Sequence, residues 1–285
     1  MAAWVLGASA TFSAHGSTYL KQGISADDIR SHYHSRHLKV LLAPGHEPAY
    51  GGTEYGTIKE REIVVMIADE LEKLLDDERG IDIYRTRDNQ GWNPIFAEYF
   101  DEEWDDINEW INHNRQKTVR LVEKGKLADV ENVQHNNAAP DVATRLYGIS
   151  KWANENNVDI VLNLHINDTP RKDLSSIGPY IGFTIYVPEK QYSNAEASRE
   201  VATSIKESVE KIMDVSNMPQ ESEGVVEDQE LIALGRYNTS DAASVLIEYG
   251  YIYESQFATE EGQKAFARRV AKQTYLGLLD FLRKK

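Results

Sequence analysis

The chain has 285 residues, 41% of them hydrophobic and 27% charged, with no cysteine and a formal net charge of −15. Such a composition suits one large domain with a substantial core and excludes a disordered chain, a disulfide framework and thiolate metal ligands. An acidic chain of this size also repels phosphate backbones, so nucleic acid is not an expected partner.

Residues 1–36 carry no sustained hydrophobic period and read as an N-terminal arm. Ala2 to Ala14 are small and apolar, and Ala8-Ser9-Ala10 resembles the end of a signal segment, but the basic start of such a segment is missing. Two alternatives stand: a remnant of a secretion signal or membrane tether whose start lies upstream of residue 1, or a disordered arm. No apolar run is long enough to span a bilayer.

One folded domain is expected over 37–285. His37 to Ala43 predicts the first strand, with Val40, Leu41 and Leu42 as a buried run. A Gly-rich turn with Gly51, Gly52 and Gly56 follows. Ile58 to Leu75 then places Ile63, Ile67, Leu71 and Leu74 at helical spacing, with Gly80 expected to end that helix. Ile81 to Thr86 alternates as a strand and completes a strand–helix–strand unit with a right-handed crossover.

Residues 89–140 form an acidic insertion with a helical look, rich in aromatics such as Trp92, Phe96, Phe100 and Trp110. It is expected either to act as a lid or inhibitory helix over a cleft, or to enlarge the core. Asp141 to Asn154 predicts a helix with Asp141 as its cap, and Val158 to Leu164 a strand. Gly182 to Val187 and Val245 to Ile247 read as further strands, Ala195 to Ile212 and Glu260 to Leu282 as helices. This alternation predicts a single three-layer α/β/α sandwich around a mostly parallel sheet, with function at the C-terminal ends of its strands.

Three residues at such ends can share a cation. His46 follows the first strand in Pro44-Gly45-His46, and His165 follows another in Asn163-Leu164-His165. Glu60 opens the helix after His46, where the chain doubles back on the strand that launched it. Two imidazoles and one carboxylate leave a fourth tetrahedral position free, as in catalytic rather than structural zinc sites. Glu248 ends the apolar run Val245-Leu246-Ile247. A carboxylate at the end of a buried strand costs several kcal/mol, on the order of the usual desolvation penalty, unless it has a partner or a task. Beside the cation, Glu248 could take a proton from the attacking water and return it to the leaving amine.

The ordered set resembles the zinc-dependent N-acetylmuramoyl-L-alanine amidases of the cell-wall hydrolase type, from about Lys39 to the C-terminal helix apart from the insertion. Pro44-Gly45-His46 and Ile58-Lys59-Glu60-Arg61 are similar to the segments carrying that family's first two zinc ligands. Thr86-Arg87-Asp88 resembles its Thr-Arg-x-x-Asp region, and Arg145, Ala153 and Asn154 fit the helix before its second histidine strand. His165 with Asn167 resembles its Ser-x-His-x-Asn motif, and Glu248 with Gly250 its closing Val-Glu-x-Gly-Phe, Tyr251 standing in for the aromatic. Departures are Ala43 in place of an aspartate, Glu47-Pro48 in place of a glycine pair, and Glu223-Gly224-Val225 in place of Arg-Gly-Val.

The resemblance implies one Zn2+ held by His46, Glu60 and His165, with Glu248 moving the proton. The substrate would be the amide between N-acetylmuramic acid and the L-alanine of a peptidoglycan stem peptide. It implies peptidoglycan as partner and an exported protein acting in the cell envelope or outside the cell. Asn167, Arg171, Lys172 and His135 are candidate substrate contacts, Arg171 and Lys172 through stem-peptide carboxylates. The alternatives are another zinc peptidase acting on wall peptides and a catalytically silent wall-binding protein. No His-Glu-x-x-His helix is present to favour the former, and survival of all three ligands with Glu248 speaks against the latter.

Overall fold

The computed structural model describes residues 23–35, 38–129, 138–171 and 173–284. Its centre is a six-stranded sheet made of β1 (Leu38–Pro44), β4 (Ile81–Arg85), β5 (Ile160–Asn167), β6 (Thr184–Pro188), β7 (Val225–Asp228) and β8 (Ala243–Tyr251), in the order β4-β1-β5-β8-β6-β7. Neighbours run parallel throughout except β6 against β8, which are antiparallel. A two-stranded hairpin, β2 (Glu54–Tyr55) and β3 (Ile58–Lys59), lies outside this sheet and leads into the first long helix.

Both faces of the sheet are covered, so its central strands read as apolar runs, and alternate side chains serve different cores. From β1, Val40 and Leu42 join one cluster and Leu41 and Ala43 the other. The first cluster is closed by α2 (Glu60–Asp76), α6 (Ala195–Val209) and α7 (Glu260–Leu282), with α7 packed against both α2 and α6. The second is closed by α3 (Pro94–Glu102), α4 (Trp104–Glu123) and α5 (Pro140–Glu155). The expected α/β/α sandwich with a mostly parallel sheet is what forms.

The aromatics of the insertion settle into the second cluster. Phe96 and Phe100 are buried there, and Phe96 lies 4.7 Å, ring centre to ring centre, from Trp152 of α5. Their place is a core one, and α3 with α4 completes the layer that α5 alone could not. The expected contacts His135 and Lys172, and the signal-like segment within residues 1–22, lie outside the described residues.

Local details differ from the sequence expectations in instructive ways. A helix, α1 (Ala26–Ser35), stands where only an arm was expected. It is polar but for Ala26 and Ile29, and Ile29 is fully buried against the first cluster. The helix α2 ends at Asp76, and Gly80, at φ +94°, makes the turn into β4 instead. Pro140 rather than Asp141 opens α5, and Ala139 offers no side-chain cap. Asp141 sits in the first turn and accepts from Arg145.

Candidate metal centre

His46, Glu60 and His165 meet at the C-terminal end of the sheet. Each offers a ligand atom, and the three atoms lie within 4.8 Å of one another. Nε2 of His46 is 2.9 Å from Oε2 of Glu60, and Nδ1 of His165 is 3.0 Å from Oε1. The imidazoles are edge-to-face, ring centres 4.9 Å apart.

The local sequence explains how each side chain arrives. His46 leaves β1 with φ +68°, a left-handed conformation that turns the chain sharply off the strand. Gly45 must be glycine, because a Cβ there would fall within 2.6 Å of both ring nitrogens of His165. Glu60 is the first residue of α2 and is 2% exposed. Its carboxylate accepts backbone N–H bonds from Thr53 at 2.9 Å and Ile166 at 3.0 Å. His165 and Glu248 lie within β5 and β8, not beyond their ends, and are direct register partners. The register shifts between His165 and Asn167, an irregularity of the kind that re-aims side chains beside active sites.

Electrostatics separates the two acids. Burial alone would raise Glu60, but the charge of His46 beside it and the hydrogen bond from His165 outweigh it, and its carboxyl is held below the ordinary range. Burial is also the main effect on Glu248, with Glu60 and Glu221 adding repulsion, so its carboxyl is pushed well above that range. Burial lowers His165, which favours the neutral imidazole that a metal requires. One carboxylate fit for ligation and one carboxyl fit for proton transfer therefore stand side by side.

Nε2 of His46 and Oε2 of Glu248 are among the buried side-chain atoms that find no hydrogen bond. Nε2 of His46 is close to Glu60 without being aligned to bond it, the geometry of two ligands converging on a third body rather than on each other. Both imidazoles keep some exposure, so the centre opens to solvent. A His2Glu donor set of this kind fits zinc.

Residues 40–280 match the sequence model of the N-acetylmuramoyl-L-alanine amidase family. The chain belongs to that family. Its fold is similar to several solved amidases. An N-acetylmuramoyl-L-alanine amidase from Clostridium difficile 630 has 16% identity over 88% of this chain and 100% of its own, with a TM-score of 0.54. The amidase CwlD from Clostridioides difficile, solved in complex with the GerS lipoprotein, has 14% identity over 86% and 98%, with a TM-score of 0.55. The apo amidase Ami1 from Mycobacterium abscessus has 15% over 87% and 99%, again at 0.55. No curated protein sequence matches the chain. The chain is thus a peptidoglycan amidase by family, with the fold of such enzymes.

The remaining expected site residues of the amidase are placed differently from the ligands. Asn167 donates its amide to Glu221 at 2.9 Å and accepts from the N–H of Asp168. Arg171 bonds Asp168 and the carbonyls of Leu174, Ser176 and Glu54, and its guanidinium lies over Tyr55 and Tyr253. Arg171 thus holds the loop after β5, and Asn167 ties the end of β5 to Glu221. Sequence reasoning missed Glu221, a buried carboxylate that collects Asn167 from β5, Tyr186 from β6 and Tyr251 from β8. It also missed Glu47, buried and bonded to Arg145 at 2.8 Å. Neither carries a local signal, because both partners come from distant segments.

Proposed function

We propose that the amidase binds one zinc ion through His46, Glu60 and His165 and uses Glu248 to move the proton that amide hydrolysis requires. The observation that carries this reading is the convergence of three ligand atoms within 4.8 Å around a buried, unbonded imidazole nitrogen. A zinc ion held there would supply Lewis-acid chemistry, polarising the scissile carbonyl and acidifying water.

The chain's own residues supply the rest. Two backbone donors and both imidazoles favour the negative charge of Glu60, the form in which it can serve as a ligand. Glu248 takes one proton from the attacking water and gives it to the nitrogen of the departing L-alanine as the C–N bond breaks; the acid so formed passes its remaining water proton to the amine, and the products are a carboxylate and an ammonium. Burial and the neighbouring Glu60 and Glu221 raise its proton affinity, which favours its acting as an acid as well as a base.

The substrate bond would be the one between the lactyl carbonyl of N-acetylmuramic acid and the stem-peptide alanine. Asn167 and Arg171 contribute by fixing the loop that borders the cleft. Because peptidoglycan lies outside the cytoplasmic membrane, the enzyme acts in the cell envelope after export. Among the described residues no helix is long and apolar enough to cross a membrane.

Zinc titration of metal-stripped protein tests the centre. One ion per chain is expected in the parental protein and none at the same concentration in His46→Ala or His165→Ala. Retention of one tightly held zinc by both variants would refute the ligand set.

A further inference from the structure

We propose that Arg87 and Arg145 are positioning residues that clamp the chain on both sides of His46 and so set how tightly the centre holds its metal. This rests on the zinc reading above and deepens it. The need for a clamp begins with His46 itself: a non-glycine residue at φ +68° does not hold that conformation unaided, and it must aim its imidazole at Glu60 and His165.

Arg87 works on the residues before His46. Its guanidinium is 1% exposed and donates Nε–H to the carbonyl of Pro44 at 3.1 Å and Nη2–H to that of Gly45, with a further bond to Arg61 at 3.2 Å. Among the described residues its hydrogen-bond partners are four backbone carbonyls, that of Asp88 included, and no carboxylate. A buried cation committed to carbonyls is a costly way to stabilise a core and an effective way to fix a backbone.

Arg145 works on the residues after His46. From α5 it reaches Glu47, the next residue in the chain, with Nε–H at 2.8 Å, and Tyr50 Oη with Nη2–H at 3.1 Å. It is itself steadied by Asp141 at 2.7 Å and by the ring of Trp104, whose centre is 5.8 Å away. The two arginines thus hold residues 44 and 45 from one side and 47 and 50 from the other, leaving His46 little freedom. A planar fork that donates in several directions at once is what such holding needs, and lysine lacks it.

The test compares zinc affinity, by competition with a chromophoric chelator, in Arg145→Gln, Glu47→Gln, Arg145→Lys and Arg87→Lys. Melting of each metal-free protein is measured alongside, and the visible spectrum of each cobalt-substituted one. Zinc binding is expected to weaken about 10–100-fold in Arg145→Gln and Glu47→Gln. Arg145→Lys should recover only part of that loss, metal-free melting should stay near the parental value, and the cobalt spectrum should shift. Should Arg145→Gln fail to fold, Glu47→Gln, which removes only the charge of the partner, answers the same question. Zinc affinity within twofold of the parent in the folded variants, with unchanged cobalt spectra, would overturn the clamp alone. Failure of the parental protein to take up zinc would overturn the metal reading and the clamp with it.

Discussion

His165 and Glu248 sit directly opposite each other on neighbouring parallel strands, so the imidazole of the candidate metal centre and a carboxyl with raised proton affinity are set side by side by the register of β5 and β8. Backbone pairing deep in a sheet buried on both faces is rigid, and this places the proton carrier without relying on a loop. The relationship makes Glu248 the residue whose chemistry can be altered with the least disturbance of the ligands.

Glu248→Gln keeps the shape and removes the titrating group. Zinc content should stay at one ion per chain while kcat on peptidoglycan falls about 10²–10⁴-fold, the usual contribution of general acid–base catalysis. Parental turnover in the zinc-loaded variant would show that another group carries the proton.

The same substitution makes a prediction about stability, with the sign set by linkage. A carboxyl whose folded pKa is raised stabilises the fold below its unfolded pKa, for which 4.5 is the reference, and that contribution is lost as pH rises through the higher folded value. At pH 7 Glu248 is therefore a burden on the metal-free fold, and Glu248→Gln should stabilise it by about 1–3 kcal/mol, the scale of an unsatisfied buried group. The gain should vanish near pH 4. Glu60 behaves oppositely: its lowered folded pKa stabilises above 4.5 and fades as pH falls through the folded value, so Glu60→Gln should cost the metal-free protein stability at pH 7. Thermal melting of metal-stripped protein across this range checks both slopes.

Gly45→Ala adds a Cβ within 2.6 Å of the ring nitrogens of His165. The imidazole must move, so zinc affinity should drop by at least an order of magnitude and the fold should lose about 1–3 kcal/mol, as in overpacked cores. Calorimetric zinc titration with a melting curve reads both effects.

Phe96→Ala removes an insertion aromatic from contact with Trp152 and leaves a cavity in the second cluster. Equilibrium unfolding should show a loss of about 3–5 kcal/mol. An insertion that served only as a surface lid would tolerate the change almost without loss.

The large elements were legible because their signals are local. Val40-Leu41-Leu42 could be read as a strand buried on both faces, and α7 takes the predicted bounds Glu260–Leu282. The three residues that meet at the candidate centre could be picked out because His46, Glu60 and His165 each adjoin an apolar strand or open a helix. What stayed hidden depends on contacts distant in sequence. The helix α1 buries only Ala26 and Ile29, too few for a visible period. The edge strand β7 is four residues with an acidic end, half exposed in its middle. Glu47 and Glu221 look like solvated acids until the fold brings Arg145 to one and Asn167, Tyr186 and Tyr251 to the other.

The most direct test is digestion of purified peptidoglycan by the zinc-loaded enzyme, with the products identified by mass spectrometry. Free stem peptides beginning with L-alanine, together with glycan strands stripped of peptide, are the expected products, and metal-stripped enzyme should release neither. Peptides that remain joined to muramic acid, or that are cut only between amino acids, would contradict the account.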